Sequence, residues 1–155
     1  MGIFRRLFGG GTDGGGAPVK PQRLDYLNEA LALERQGDFD AAIVSYRLAL
    51  RDHPNDPRIL QNLAIAFSRT GKLDDAIRHY RRALELDPAL AGAHYGLGFL
   101  LMRRGEAVAA ATHFKAFLDN PPKGPDGQRW VEHATAALRE MALEPPQAAA
   151  GMEGA

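Results

Sequence analysis

Glycine and proline recur in this chain at a fixed interval of 34 residues, and no other feature restricts the fold as tightly. Gly37, Gly71 and Gly105 form one column, and Pro54, Pro88 and Pro122 form another. Further columns keep the same phase: Ala42, Ala76 and Ala110; Tyr46, Tyr80 and Phe114; Leu50, Leu84 and Leu118. Ala30, Ala64 and Gly98 make a small-residue column, and Leu33, Phe67 and Leu101 a large one. A period of this length means one supersecondary unit used three times, from Arg23 to Pro122.

Within a unit the pattern reads helix, tight turn, helix. Leu60, Leu63, Ala64 and Phe67 recur at i, i+3, i+4 and i+7, which is one face of an α-helix. Asn55-Asp56-Pro57 supplies an N-cap and a proline at the first helical position. Gly71 supplies the left-handed residue that closes this helix. Leu73, Ala76, Ile77, Tyr80, Ala83 and Leu84 carry a second helix, which Asp87-Pro88 ends, because proline disfavours the α region for its predecessor. Small residues at Ala64 and Ala76 let the two helices approach closely, with Tyr80 filling the space beside them.

These motifs resemble the tetratricopeptide repeat, whose consensus runs W-x-x-L-G-x-x-Y, then A-x-x-x-F, then P. In the middle unit the matching residues are Leu60, Leu63, Ala64, Phe67, Ala76, Tyr80 and Pro88. The outer units match through Ala42, Tyr46, Ala49 and Pro54, and through Gly98, Ala110, Phe114 and Pro122. Two departures stand at the ends: Glu29 occupies a large apolar position, and Phe117 replaces an alanine. Both suit terminal units, which meet fewer neighbours.

The last turn cluster, Lys123-Gly124-Pro125-Asp126-Gly127, precedes Trp130, Ala134, Ala137, Leu138 and Met141, spaced as one apolar helix face. Glu132, His133, Arg139 and Glu140 fall on its other flank, and Trp130 reads as core. The expected architecture is therefore all-α: a right-handed α-solenoid of three helix-turn-helix repeats (23–56, 57–90 and 91–124) and a capping helix over 126–142. Residues 1–22 read as a flexible glycine-rich segment and 143–155 as a disordered tail.

Catalytic signatures are missing from the sequence. His53, His79, His94, His113 and His133 make no H-E-x-x-H and no i, i+4 pair, and there is no G-x-S-x-G or Walker loop. Asp38, Asp40, Asp74, Asp75 and Glu85 read as helix-terminal or solvated charges. Gly9 to Gly14 fits G-x-G-x-x-G in letters, but no strand precedes it and Gly15-Gly16-Ala17-Pro18 follows, so it reads as a linker. The expectation is a protein that is not an enzyme and has no cofactor and no metal. The chain has no cysteine, which removes disulfides and thiolate chemistry. Lys plus Arg and Asp plus Glu both count 19, so the basic excess of a nucleic-acid binder is missing. No apolar run reaches the ~18 residues of a membrane span.

Arg5 and Arg6 interrupt the apolar residues of the N-terminal tip (Ile3, Phe4, Leu7, Phe8), so neither an export signal nor a lipid anchor is indicated. A cytoplasmic location is expected, peripheral to a membrane if the tip docks on one. Arg outnumbers Lys fifteen to four and alanine is abundant, which suits a GC-rich bacterial genome.

The resemblance implies a protein–protein interaction module, in which the first helices of successive units line a concave groove for a peptide or a partner's helix. By phase the groove positions are Leu27, Asn28, Leu31, Gln61, Asn62, Ile65, Ser68, Arg69, Tyr95, Phe99, Met102 and Arg103. Family members that hold acidic C-terminal tails use a clamp of lysine, asparagine and arginine. The corresponding places here hold Leu27, Leu31, Asn62, Gly92 and Gly96, so the implied ligand is apolar or aromatic, with an acidic residue near one end. Gly92 and Gly96 are expected to leave room beside Tyr95 for a bulky partner side chain. Two other readings stay open: a self-associating array (a homo-oligomer), and a membrane-recruitment adaptor anchored by the tip.

Overall fold

In a computed structural model, residues 25–143 are described, and their regular structure is entirely helical. Seven helices follow one another: α1 (Tyr26–Arg35), α2 (Phe39–Asp52), α3 (Pro57–Arg69), α4 (Leu73–Leu86), α5 (Ala91–Arg103), α6 (Ala107–Asp119) and α7 (Pro125–Leu143). None of them is long and apolar enough to cross a membrane. The segments read as flexible, with the N-terminal tip, lie outside the described residues except for Leu143, which ends α7.

Local chemistry sets the helix ends. The carboxylates of Asp25, Asp38 and Asp56 accept from the backbone N–H groups of Asn28, Ala41 and Arg58, at 3.1, 3.1 and 2.9 Å. Pro57 takes the first helical position of α3. Gly37, Gly71 and Gly105 have φ of 80°, 77° and 78°, and each closes a Schellman turn. At the middle turn Lys72 N–H donates to the Phe67 carbonyl at 2.9 Å and Gly71 N–H to that of Ser68 at 3.2 Å. Asp38 and Glu106 make the corresponding bonds to Leu33 and Leu101, at 3.0 and 2.9 Å.

Second helices end by another device. His53, Asp87 and Asn120 are the C-caps of α2, α4 and α6, each lies outside the α region, and each precedes a proline. The proline in the third case is Pro121, not the in-phase Pro122, and α6 is accordingly one residue shorter than α2 and α4.

Each helix packs on the one before and the one after, and α3 also meets α5. This is nearest-neighbour stacking of a repeat array. The small columns lie at the helix crossings: Ala30, Ala42, Ala64, Ala76 and Ala110 are all fully buried. A Cβ on Gly98 would lie 2.7 Å from the Phe114 ring, so the third unit needs glycine where the others use alanine.

The end-unit departures find specific partners. Glu29 accepts from the buried Ser45 hydroxyl at 3.1 Å, and Glu34 accepts from the Tyr46 hydroxyl at 2.5 Å. Phe117 does not sit in a sparse environment. It is fully buried, with its ring 5.2 Å from that of Tyr95, so the reading of fewer neighbours fails for it.

The capping helix also differs from expectation. It begins at Pro125, within the stretch read as a turn, and Gly127 is buried against the Pro122 carbonyl, so closely that a Cβ has no space. Its core residues are Ala134 and Ala137, whereas Trp130 remains 38% exposed. Trp130 lies over Tyr95 with ring centroids 5.5 Å apart and planes at 27°. One face packs and the other meets solvent, because α7 offers small side chains for its close approach and leaves the large ring at the margin.

Candidate functional site

Of the twelve groove positions, none is fully buried, whereas Leu63, Leu97 and Leu101 on the same first helices are. A pocket of about 480 Å³ between α5 and α7 brings five of the twelve together: Ser68 from α3, with Tyr95, Phe99, Met102 and Arg103 from α5. The i, i+4, i+7 and i+8 spacing from Tyr95 puts the four α5 side chains along one helix face. Tyr95 is the hub of an aromatic cluster. Phe99 meets it edge-on at 4.9 Å, Phe117 lies beneath it, and Phe99 in turn meets Phe114 at 4.8 Å. Burial pushes the Tyr95 hydroxyl above its ordinary pKa, so it stays protonated and donor-competent at neutral pH.

The remaining seven positions lie outside this pocket. Leu27, Leu31 and Ile65 are half-buried and pack on the core. Asn28 spends its amide on the Asp25 carboxylate. The Arg69 guanidinium lies 5.0 Å above the Phe39 ring, held at the start of α2. Asn62 is half-buried on α3.

Gly96 lines the pocket beside Tyr95, together with Tyr80, whereas Gly92 does not, and neither glycine leaves its own Cβ position empty. A Cβ on Gly92 would lie 2.6 Å from Oε1 of Gln61, and one on Gly96 would overlap the Tyr80 hydroxyl. The space of both glycines is already filled from within the protein, because helices of the preceding unit cross there. Gln61 Oε1 is buried there and makes no hydrogen bond.

Sequence reasoning missed the opposite wall. His133, Ala136, Ala137 and Glu140 of α7 line the pocket, and the Tyr95 hydroxyl and His133 Nδ1 are 3.2 Å apart across it. The i, i+3, i+4 and i+7 spacing of these four was the available signal. His133 and Glu140 read as the solvated flank of a cap, and Ala137 as part of its apolar face, unless α7 is known to cross the groove. Arg103 on one wall and Glu140 on the other give the rim one charge of each sign.

A larger depression, about 660 Å³, is lined by Leu60, Ile77 and the arginines of α4 with Arg104. Its charges are mostly engaged: Arg78 with Asp75, Arg82 with Glu85, and Arg104 with Asp74 and Glu106. Among the described residues no three His, Cys, Asp or Glu side chains are grouped to hold a metal ion.

Comparison with solved structures gives a common fold. The type III secretion chaperone SycD of Yersinia enterocolitica, in complex with a peptide of the translocator YopD, aligns with a TM-score of 0.71 at 16% identity, over 76% of this chain and 90% of that one. The Sgt2 TPR domain from Aspergillus fumigatus aligns at 0.65 with 22% identity, over 87% and 92%. The first TPR of Spaghetti (RPAP3), bound to the HSP90 peptide SRMEEVD, aligns at 0.64 with 20% identity, over 74% and 93%. No curated protein matches the sequence. The family model "Tetratricopeptide repeat" matches residues 25–66 and the model "TPR repeat" matches residues 68–105. With three in-phase Schellman turns on helix pairs that stack only on their neighbours, these matches identify the chain as a member of the tetratricopeptide repeat family.

Proposed function

We propose that this protein is a non-catalytic interaction module that takes an apolar or aromatic segment of a partner protein into the α5–α7 pocket. The observation that carries the reading is the pocket itself: Tyr95, Phe99 and Met102 form the apolar wall of a cavity of about 480 Å³, within the size range of ligand-binding pockets, with Arg103 at its rim. Structural neighbours with this fold hold peptides, of YopD in one case and of HSP90 in another. The places that would hold a terminal carboxylate carry Leu27, Leu31, Asn62, Gly92 and Gly96, which supply no cation. The favoured ligand is therefore a side chain anchored by burial, with an acidic neighbour opposite Arg103.

Panels of helical and extended peptides with one aromatic anchor, with and without a flanking Glu, test this. Trp130 is the chain's single tryptophan and stacks on Tyr95, so its fluorescence reports occupancy without a label. The double variant Phe99→Ala/Arg103→Glu should weaken binding at least about tenfold while the circular dichroism remains helical. Unchanged binding in that variant would place the surface elsewhere.

A further inference from the structure

The side-chain hydrogen bonds that cross between helices differ in kind at the two ends of the array. α1 and α2 are joined through carboxylates, by Ser45 to Glu29 and Tyr46 to Glu34. α5 is joined to α6 through His94 and His113, Nδ1 to Nδ1 at 3.0 Å, and to α7 through Tyr95 and His133.

The protons of the histidine pair can be placed by chemistry. His94 Nε2 lies 2.7 Å from the Pro88 carbonyl oxygen, which only accepts, so Nε2 carries a hydrogen and donates. In neutral His94 the Nδ1 is therefore bare, and the hydrogen between the rings belongs to His113 Nδ1. One added proton leaves this bond standing, because the ring that stays neutral can still present a bare Nδ1 to the other's Nδ1–H. A second puts a hydrogen on both Nδ1 atoms. The contact then sets N–H against N–H, with two positive charges on rings whose centroids are 5.3 Å apart. Arg81 of α4 adds a further positive charge beside His113. Neither imidazole forms an ion pair with a carboxylate among the described residues.

We propose that the His94–His113 pair is a proton-operated latch on the C-terminal unit: acidification releases α5 from α6, and with it the α5–α7 pocket, while the carboxylate-bonded α1–α2 pair stays closed. Three facts converge on α5. It carries His94, it carries the pocket residues Tyr95, Phe99 and Met102, and its bond to α7 also runs through an imidazole, in a pocket whose other charged groups are Arg103 and Glu140. Burial, then His94, then Arg81 hold His113 below the ordinary imidazole pKa, so the folded chain resists protons that the unfolded chain accepts. The α1–α2 bonds run from hydroxyls to carboxylates, with no imidazole between those two helices.

Amide hydrogen exchange on the full chain, at about pH 7.5 and about pH 5.5 and referred to the unstructured rate at each pH, reads the latch directly. Protection in α5–α7 is expected to fall several-fold relative to α1–α2 at the lower pH. His113→Asn places a non-titrating amide where Nδ1 stood, able to donate to His94 or accept from it, and should abolish the fall. Uniform loss along the array, no loss, or an unchanged response in His113→Asn overturns the proposal. Nitrogen NMR of the wild type guards against a variant that does not fold. The latch requires hydrogen on His113 Nδ1 and on His94 Nε2 at neutral pH, and a bare Nδ1 on His113 refutes it. None of these readouts needs a ligand, so the latch and the peptide reading fail separately.

Discussion

At Gly71 the φ of +77° coincides with open space around the position a Cβ would take, so backbone conformation alone opposes a side chain there. Gly71→Ala is expected to cost about 1 kcal/mol, and Gly71→Val more, within about 1–3 kcal/mol, because a β-branched residue is the most strained at positive φ. Equal urea midpoints for the two variants would show that the turn does not select glycine. Gly92 and Gly96 pose the opposite problem, with ordinary φ and no space. Behind Gly92 stands the movable end of Gln61, whereas behind Gly96 stands the buried ring of Tyr80. Gly96→Ala should therefore destabilise by roughly 1–3 kcal/mol and Gly92→Ala by clearly less. Thermal melts of the two variants measure the difference, and a larger loss at Gly92 would contradict the packing described.

Helix boundaries were legible in the sequence wherever one residue type does a fixed job. Asp56-Pro57 starts α3, the three glycines close first helices, and Asp87-Pro88 ends α4, each by a contact within a few residues. What the sequence concealed lies between elements. The apolar stripe of α7 shows that the helix packs, but it does not say across which surface, so His133 and Glu140 read as solvated. Gly92 and Gly96 read as space because a glycine does not name what fills it, and Tyr80 comes from a different helix. Removing residues 125–155 strips the α7 wall from the pocket and exposes the aromatic cluster beneath it. The melting temperature should fall by at least about 5 °C, with concentration-dependent light scattering. A truncated chain that stays monomeric and equally stable would mean that α7 is not part of the fold's core.

For the molecule as a whole, titration bounds stability on both sides. His113 is held below the ordinary 6.5, so below that value the unfolded chain binds more protons than the folded one. Stability is thus fully present above pH 6.5 and declines as pH falls. Tyr46 and Tyr80 are pushed above 10 chiefly by burial, with the Glu34 carboxylate adding to both. The unfolded chain ionises first at those two tyrosines, so stability declines again above about pH 10. Urea midpoints should accordingly be flat between about pH 7 and pH 9.5 and drop at either side. A midpoint that rises on acidification would contradict the His113 environment. Finally, Phe117 limits how many units such a chain can have. Ala49 and Ala83 are small where the next helix pair stacks, so each of the first two units accepts a successor. Phe117 fills the equivalent place with a ring already committed to Tyr95, so a fourth unit grafted after Pro122 in place of α7 meets a ring where the earlier units offer an alanine. Lengthening the array requires exchanging Phe117 for alanine first, and the unmodified graft should behave as an unfolded appendage by proteolysis.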